Sequence, residues 1–267
     1  MKVLKTASSL RKWRTSLSPS RSLGFVPTMG ALHRGHLSLL QRSVKDNDLT
    51  IASIFVNPTQ FGPNEDYLKY PRPLAQDLKL LRHAGVDIVF VPNSPKEIYP
   101  LKDEFKIRVP TYWTTAMEAK FRPGHFEGVA TVVLKLFSLV KPDCAYFGQK
   151  DFQQLRLVER LVESFGLNIK IVACPTLREK NGLAMSSRNV YLSDTERLQA
   201  SKIFKTLKDS NTLGEASRRL LKAGFKIDYL ESWDDKLSRV TFKKPARWLV
   251  AVKLGGVRLI DNVLKKP

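Results

Sequence analysis

Short apolar runs alternate with helical patterns over the first two thirds of the chain, which predicts an α/β fold built on a parallel sheet. The run 24–26 (GFV) reads as a strand. Leu37, Leu40 and Val44 then share one face of a helix, and 49–56 (LTIASIFV) is the nearly unbroken apolar run of a strand covered on both sides. These three make a βαβ unit, whose crossover should be right-handed. LAQDLKLLRHAG predicts a helix ending at Gly85, followed by a buried strand over 86–91. Residues 92–126, punctuated by Pro92, Pro95, Pro100, Pro110 and Pro123, predict a long irregular loop, a feature that is often functional in a compact domain. Residues 128–140 read as a buried helix despite their β-branching, and 143–147 as a strand. A helix with Leu155, Val158, Val162 and Phe165 inward follows, and the strand 169–174 closes the sheet.

The texture changes past Pro175. Two helices, about 194–208 and 213–223, precede strands near 226–231, 247–254 and 257–260. The expected organisation is an α/β domain over 1–175 and a smaller α+β unit over 176–267. The chain holds no internal repeat and no low-complexity segment.

Charge changes this picture little. The chain has 45 basic against 25 acidic residues in 267, a formal net charge of +20, which favours anionic partners. The basic residues are scattered, with no run longer than a pair, and lack the interleaved aromatics of a nucleic-acid surface, so no nucleic-acid partner is expected. Residues 1–25 hold six Lys or Arg, several serines and no acid, as transit peptides do. A core strand beginning at Gly24 leaves no spacer for cleavage, so a surface helix around Leu10 and Trp13 is the preferred reading. No apolar stretch has the length or freedom from charge of a membrane span, so no membrane partner is expected. Cys144 and Cys174 sit beside apolar residues and read as reduced thiols in a cytoplasmic protein.

Four segments carry candidate chemistry. TMGALHRGH follows the first strand of the unit and opens a helix, where free N–H groups and the helix dipole favour a phosphate. Gly30 and Gly35 admit close backbone approach. His33 and His36 can donate to phosphate oxygens or protonate a leaving group. A zinc site would need a third ligand, and the other histidines are His83, inside a helix, and His125. Two ordinary polar histidines are the bland alternative. FGQKD repeats the strand-end architecture: Gly148 for the turn, Lys150 as a phosphate counter-charge, Asp151 as a helix-capping carboxylate, and Gln154 one turn further on. A capped helix with exposed Lys and Gln reads equally well. In NGLAMSSRN, Ser186, Ser187 and Arg188 can bind a triphosphate, or form a surface loop. IFVNPTQFG ends a buried strand at Asn57 and presents Gln60, an amide suited to a small polar ligand.

These segments, in this order, closely resemble the pantoate–β-alanine ligase (pantothenate synthetase) family. The resemblance takes in EDYLKYPR (65–72), FRPGHFEGVATVVLKLF (121–137) and GGVRLIDN (255–262), and runs from about residue 1 to 264. It implies a Rossmann-like nucleotidyltransferase domain, a smaller C-terminal lid domain, and a cytoplasmic homodimer. The implied chemistry uses ATP as substrate with Mg²⁺. Pantoate's carboxylate attacks the α-phosphorus to give pantoyl adenylate and pyrophosphate, and β-alanine's amine then displaces AMP. Carried over by motif, Met29, Gly30, Ala31, Leu32, His33, Arg34, Gly35 and His36 cradle ATP, with His36 the catalytic proton donor. Gly148, Gln149, Lys150 and Asp151, Leu177, and Met185, Ser186, Ser187 and Arg188 complete that site. Gln60 and Gln154 hold pantoate, and Gln60 also lies by β-alanine; no residue is assigned to a metal. Arg34 and Gln149 stand where acidic residues are frequent in the family, adding positive charge, and the stretch 205–225 is shorter than usual. A related nucleotidyltransferase would share the histidine and SSR motifs; Gln60, Gln154 and FRPGHFEGVAT favour the ligase.

Overall fold

Six strands, all parallel, form the main sheet: β1 (Lys2–Leu4), β2 (Leu23–Thr28), β3 (Leu49–Ile54), β4 (Ile88–Phe90), β5 (Cys144–Gly148) and β6 (Lys170–Cys174), in the spatial order β1-β4-β3-β2-β5-β6. The computed structural model describes residues 1–63, 65–234, 237 and 245–265. Successive residues of each strand enter opposite layers. Phe25, Ile51 and Phe90 join a core with α1 (Ala7–Thr15), α5 (His125–Val140) and α6 (Phe152–Ser164). Val26, Ala52, Val89 and Tyr146 pack the other way, against α2 (Arg34–Asp46) and α3 (Leu74–His83). Burial on both faces is why these strands read as continuous apolar runs.

The strand order turns around at β2, which pairs with β3 on one side and β5 on the other. Open parallel sheets form their ligand crevice at the carboxyl ends flanking such a point. Here those ends are Thr28 and Gly148, the starts of the two phosphate-like turns.

Past β6 the chain builds α7 (Asp194–Ala200), α8 (Lys202–Asp209) and α9 (Leu213–Lys222). These precede an antiparallel sheet of β7 (Lys226–Trp233), β8 (Ala246–Leu254) and β9 (Val257–Lys265). One face of that sheet forms its own core with Ile203, Leu207 and Leu220. The other gives Tyr229, Trp233, Leu249 and Ala251 to the main core. Between the sheets, α4 (Met117–Phe121) packs on β7 and β8.

Several expectations need correction. The N-terminal residues form a sheet strand, β1 against β4, which a three-residue run is too short to reveal as periodicity. The surface helix expected around Leu10 and Trp13 is α1, which buries Ala7 and Leu10 and exposes Arg11 and Lys12. The buried stripe of α2 is Leu39, Leu40 and Ser43, with Val44 37% exposed, because Ser43 meets Thr50 of β3 through a 2.9 Å hydroxyl contact. Phe165 lies past the end of α6 and is 51% exposed. The long loop contains α4, and α5 starts at His125, three residues early. The helix expected over 194–208 breaks at Ser201, and the last strand continues to Lys265. Cys174 is buried and Cys144 half-buried, both free. No described helix is long and apolar enough to cross a membrane.

One contact sets how closely α5 approaches the turn after β3. A Cβ on Gly128 would lie 2.2 Å from the Thr59 carbonyl oxygen and 2.7 Å from the Gln60 Cα. Alanine in place of a mid-helix glycine ordinarily stabilises by about 0.5–1 kcal/mol. Gly128→Ala should instead destabilise by roughly 1–3 kcal/mol through overpacking, seen calorimetrically as a Tm lowered by about 2–4 °C per kcal/mol. An unchanged or raised Tm would contradict this close approach.

Candidate active site

The turn after β2 is pinned from beneath by a residue far along the chain. Asp77 of α3, buried, accepts from the Ala31 N–H at 2.9 Å and the Leu32 N–H at 2.8 Å, while the Thr28 hydroxyl accepts from Gly30 N–H at 3.2 Å. Burial pushes the Asp77 carboxyl up, and the two amide donors pull it back. Gly30 adopts φ +80°, with Asp77 Oδ2 2.9 Å from where a Cβ would stand, and a Cβ on Gly35 would meet the His33 ring at 2.8 Å. The glycines therefore make room for protein side chains as much as for a ligand. The amides of Gly30, Ala31 and Leu32 are engaged by the protein itself, and what this turn presents to the crevice is imidazole.

The two histidines form the N-terminal cap of α2. His33 Nδ1 accepts from the Gly35 N–H at 3.1 Å, and His36 Nδ1 accepts from the His33 N–H at 3.3 Å. With Nδ1 accepting, the hydrogen-bond network assigns each neutral ring its proton on Nε2. The rings lie 4.1 Å apart, tilted by 31°. Burial, then the neighbouring Lys150 charge, lowers His33 to about 4; burial, His33 and Lys150 lower His36 to about 3. Both are neutral hydrogen-bond donors near pH 7 in the ligand-free site. Among the described residues, no three His, Cys, Asp or Glu side chains gather as a metal cluster.

A pocket of 240 Å³ unites segments distant in sequence. Its walls include Met29, His33, Gly35 and His36 from the first turn, and Gly148, Lys150, Asp151 and Gln154 from the second. Leu177 and Met185 through Arg188 supply another wall, and Gln60 with Asn57 the base. Gly30, Ala31, Leu32, Arg34 and Gln149 lie outside these walls, and Arg34 points to solvent. The pocket shares Lys150, Asp151, Gln154, Ser186 and Arg188 with a cleft of 1190 Å³ that separates the two sheets. Asp151 stands at the N-cap of α6 but makes no side-chain cap, contrary to the sequence reading, so its carboxylate stays free for the crevice. Leu177 meets Met185 because the Met185 N–H donates to the Leu177 carbonyl across a tight reversal.

Several supporting residues escaped the sequence reading. Asp66 grips the Arg188 guanidinium as a fork, at 3.0 and 2.8 Å, and Tyr70 meets the Ser187 hydroxyl at 3.2 Å. The SSR segment is thus docked onto the loop after Gln60. Asn262 of β9, buried, donates its amide hydrogens to the carbonyls of Gln149 at 2.9 Å and Lys150 at 3.0 Å, tying the small sheet to the second turn. EDYLKYPR and GGVRLIDN belong to the family resemblance, but their long-range partners have no sequence periodicity to announce them.

His125 is also lowered to about 3, by burial and then by Arg122. The unfolded chain therefore binds protons on three histidines that the folded protein excludes. Their contribution to stability is full above about pH 6.5 and declines as pH falls toward 4, by about 1.4 kcal/mol per pH unit for each histidine. Urea unfolding should give a lower midpoint near pH 5 than at neutrality, and His36→Asn should flatten that dependence. Equal midpoints in the unsubstituted protein would contradict the buried neutral rings.

Comparison with known proteins agrees with this geometry. The profile of the family described as Pantoate-beta-alanine ligase matches residues 2–264. A pantothenate synthetase of Helicobacter acinonychis (strain Sheeba) is 47% identical over 98% of this chain and 99% of its own. The crystal structure of pantothenate synthetase from Thermus thermophilus superposes with a TM-score of 0.91 at 43% identity, covering 100% of both chains. That of pantoate-beta-alanine ligase from Francisella tularensis, complexed with beta-gamma ATP and beta-alanine, has a TM-score of 0.89 at 41% identity over 99% of this chain and 97% of that one. With parallel sheet, switch-point turns and family profile in agreement over the whole length, the chain belongs to the pantoate–β-alanine ligase family, ATP-dependent enzymes that join pantoate to β-alanine.

Proposed function

We propose that ligation here runs through a pantoyl adenylate made and consumed in the pocket between the two strand-end turns. The observation that carries this reading is the convergence on one pocket of the paired imidazoles, Lys150, the SSR segment and two amides, Gln60 and Gln154. Pantoate and ATP are both anions, so a cationic wall must hold them together before attack. Lys150 and Arg188 supply that charge. A pantoate carboxylate oxygen forms a bond to the α-phosphorus as the bond to the β-phosphate oxygen breaks and pyrophosphate leaves. The Nε2–H groups of His33 and His36 then meet negative charge developing on phosphate oxygens, as preorganised donors. What supports a hydrogen-bonding His36 over a proton-releasing one is its depression to about 3 in the ligand-free site. The amine of β-alanine next attacks the acyl carbon, the bond to AMP breaks, and the amine sheds its proton as the amide forms. Two neutral amides suit a small hydroxy acid without a phosphate of its own.

Mg²⁺ is held in such sites chiefly by phosphates and water, with one or two carboxylates. Asp151, on the pocket wall and uncapped, fits that role, and bound Mg²⁺ would supply neutralisation of phosphate charge. Residues 176–267 act as a lid on the 1–175 body, a reading supported by their separate core and the intervening cleft. The lid excludes water that would hydrolyse the acyl phosphate. Two free thiols favour the cytoplasm.

A second copy of the chain is the occupant we assign to a separate cavity of 1020 Å³ at α5 and α6. It holds none of the pocket's histidines, and its lining includes Phe105, 94% exposed, and Phe165, 51% exposed, above buried Ile98 and Val109. Exposed apolar surface of this kind marks protein contacts. Sedimentation should give twice the 30.3 kDa chain mass, and Phe105→Glu should shift the protein toward monomer; a monomeric unsubstituted protein would refute the assignment.

The chemistry is tested by pyrophosphate exchange. Labelled pyrophosphate should enter ATP only when pantoate is present, with β-alanine absent. His36→Ala should slow that exchange by roughly a hundredfold or more, with circular dichroism unchanged. Exchange without an acid, or only with β-alanine, would refute the adenylate route.

A further inference from the structure

Gln60 is held from two sides by a chain of protein side chains. At the near end, Asn57 Oδ1 accepts from the Tyr99 hydroxyl at 2.8 Å and from the Thr59 hydroxyl at 3.0 Å. Asn57 must therefore turn its NH₂ to Gln60 Oε1, at 3.1 Å, and to the Gly128 carbonyl, at 3.2 Å. That contact occupies the oxygen of the Gln60 amide. Its nitrogen faces Met29 Sδ at 3.1 Å, a weak acceptor, so this end of the amide is the one left to recognise a substrate oxygen.

The backbone of Gln60 is fixed from the other side. His125 Nδ1 lies 2.8 Å from the Gln60 carbonyl oxygen, and His125 Nε2 lies 3.0 Å from an Arg122 nitrogen. A guanidinium only donates, so Nε2 must accept, and the ring proton resides on Nδ1, where it is donated to Gln60. Arg122 is itself held as a fork by Glu65, at 2.8 and 2.6 Å. His125 is buried and lies outside the walls of the 240 Å³ pocket; with Arg122 and Glu65 it lines the adjoining 1190 Å³ cleft, and its hydrogen bond toward the pocket runs to Gln60.

We propose that His125 is a positioning residue for the acid substrate: donating to the Gln60 carbonyl in a tautomer dictated by Arg122 and Glu65, it holds the Gln60 amide with its NH₂ end toward the pocket. This rests on the reading of Gln60 as a pantoate residue. It also accounts for the RPGH spacing. Arg122 and His125, at the start of α5, support from beneath the same turn that Gly128 admits.

The test is pantoate-dependent pyrophosphate exchange by the full-length protein. His125→Phe keeps the ring and removes the donor, and should raise the apparent KM for pantoate about tenfold, the scale of one lost hydrogen bond. The KM for ATP should stay within about twofold. His125→Asn, which retains an N–H near the Nδ1 position, should recover most of the loss. In a Gln60→Ala background His125→Phe should cause no further loss, because it has nothing left to position. Should His125→Phe not fold, His125→Gln, with its amide at the Nε2 end, takes its place. Full additivity with Gln60→Ala, or equal changes for ATP and pantoate, would overturn the proposal while leaving Gln60 a substrate residue. A Gln60→Ala variant with an unchanged pantoate response would instead overturn the underlying reading of Gln60, and the proposal with it.

Discussion

The parallel pairing of β2 with β5 is the constraint on which the rest depends. Gly24 lies beside Cys144 and Phe25 beside Ala145, so strand ends more than a hundred residues apart in sequence open side by side. Only there do the histidine turn and the Lys150 turn face one crevice. Because β3 continues the sheet on the other side of β2, its own exit turn delivers Asn57 and Gln60 to the same place. One sheet order thus brings the exit turns of three strands within a single small pocket.

Much of the polar machinery around that pocket holds other machinery. Asp77 commits its carboxylate to two backbone amides of the first turn, and Asn262 commits its amide to two carbonyls of the second. Asp66 holds the guanidinium of Arg188. Buried groups that are fully hydrogen-bonded rigidify a site, while leaving one of them unmatched costs the full desolvation of its partner. The hydrogen bonds of Asp77, Asn262 and Asp66 thus fix the two turns and the Arg188 guanidinium in place. Preorganisation of this kind reduces what must be reordered when charge moves.

The small sheet is more than an appended cover. Its inner face completes the main core through Tyr229, Trp233, Leu249 and Ala251, and Arg258 binds Glu118 of α4 at 2.8 Å. Asn262 further ties this sheet to the backbone of Gln149 and Lys150.

The alternation of apolar runs determined the parallel sheet, its strands from β2 to β6 and most helices, because burial on two faces leaves a pattern in sequence. Local chemistry likewise singled out HxGH, GQKD and SSR as candidate segments, and the structure lines one pocket with residues of all three. What the sequence did not determine is whatever depends on distant neighbours. Ser43 faces inward because Thr50 offers it a hydroxyl, and Phe165 faces out because its helix has ended. Asp77, Asn262 and the Glu65–Arg122–His125 chain act across dozens of residues or more. Tertiary structure alone decided these roles, because a hydrogen bond is set by the position and direction of its partner, and no periodicity along the chain encodes either.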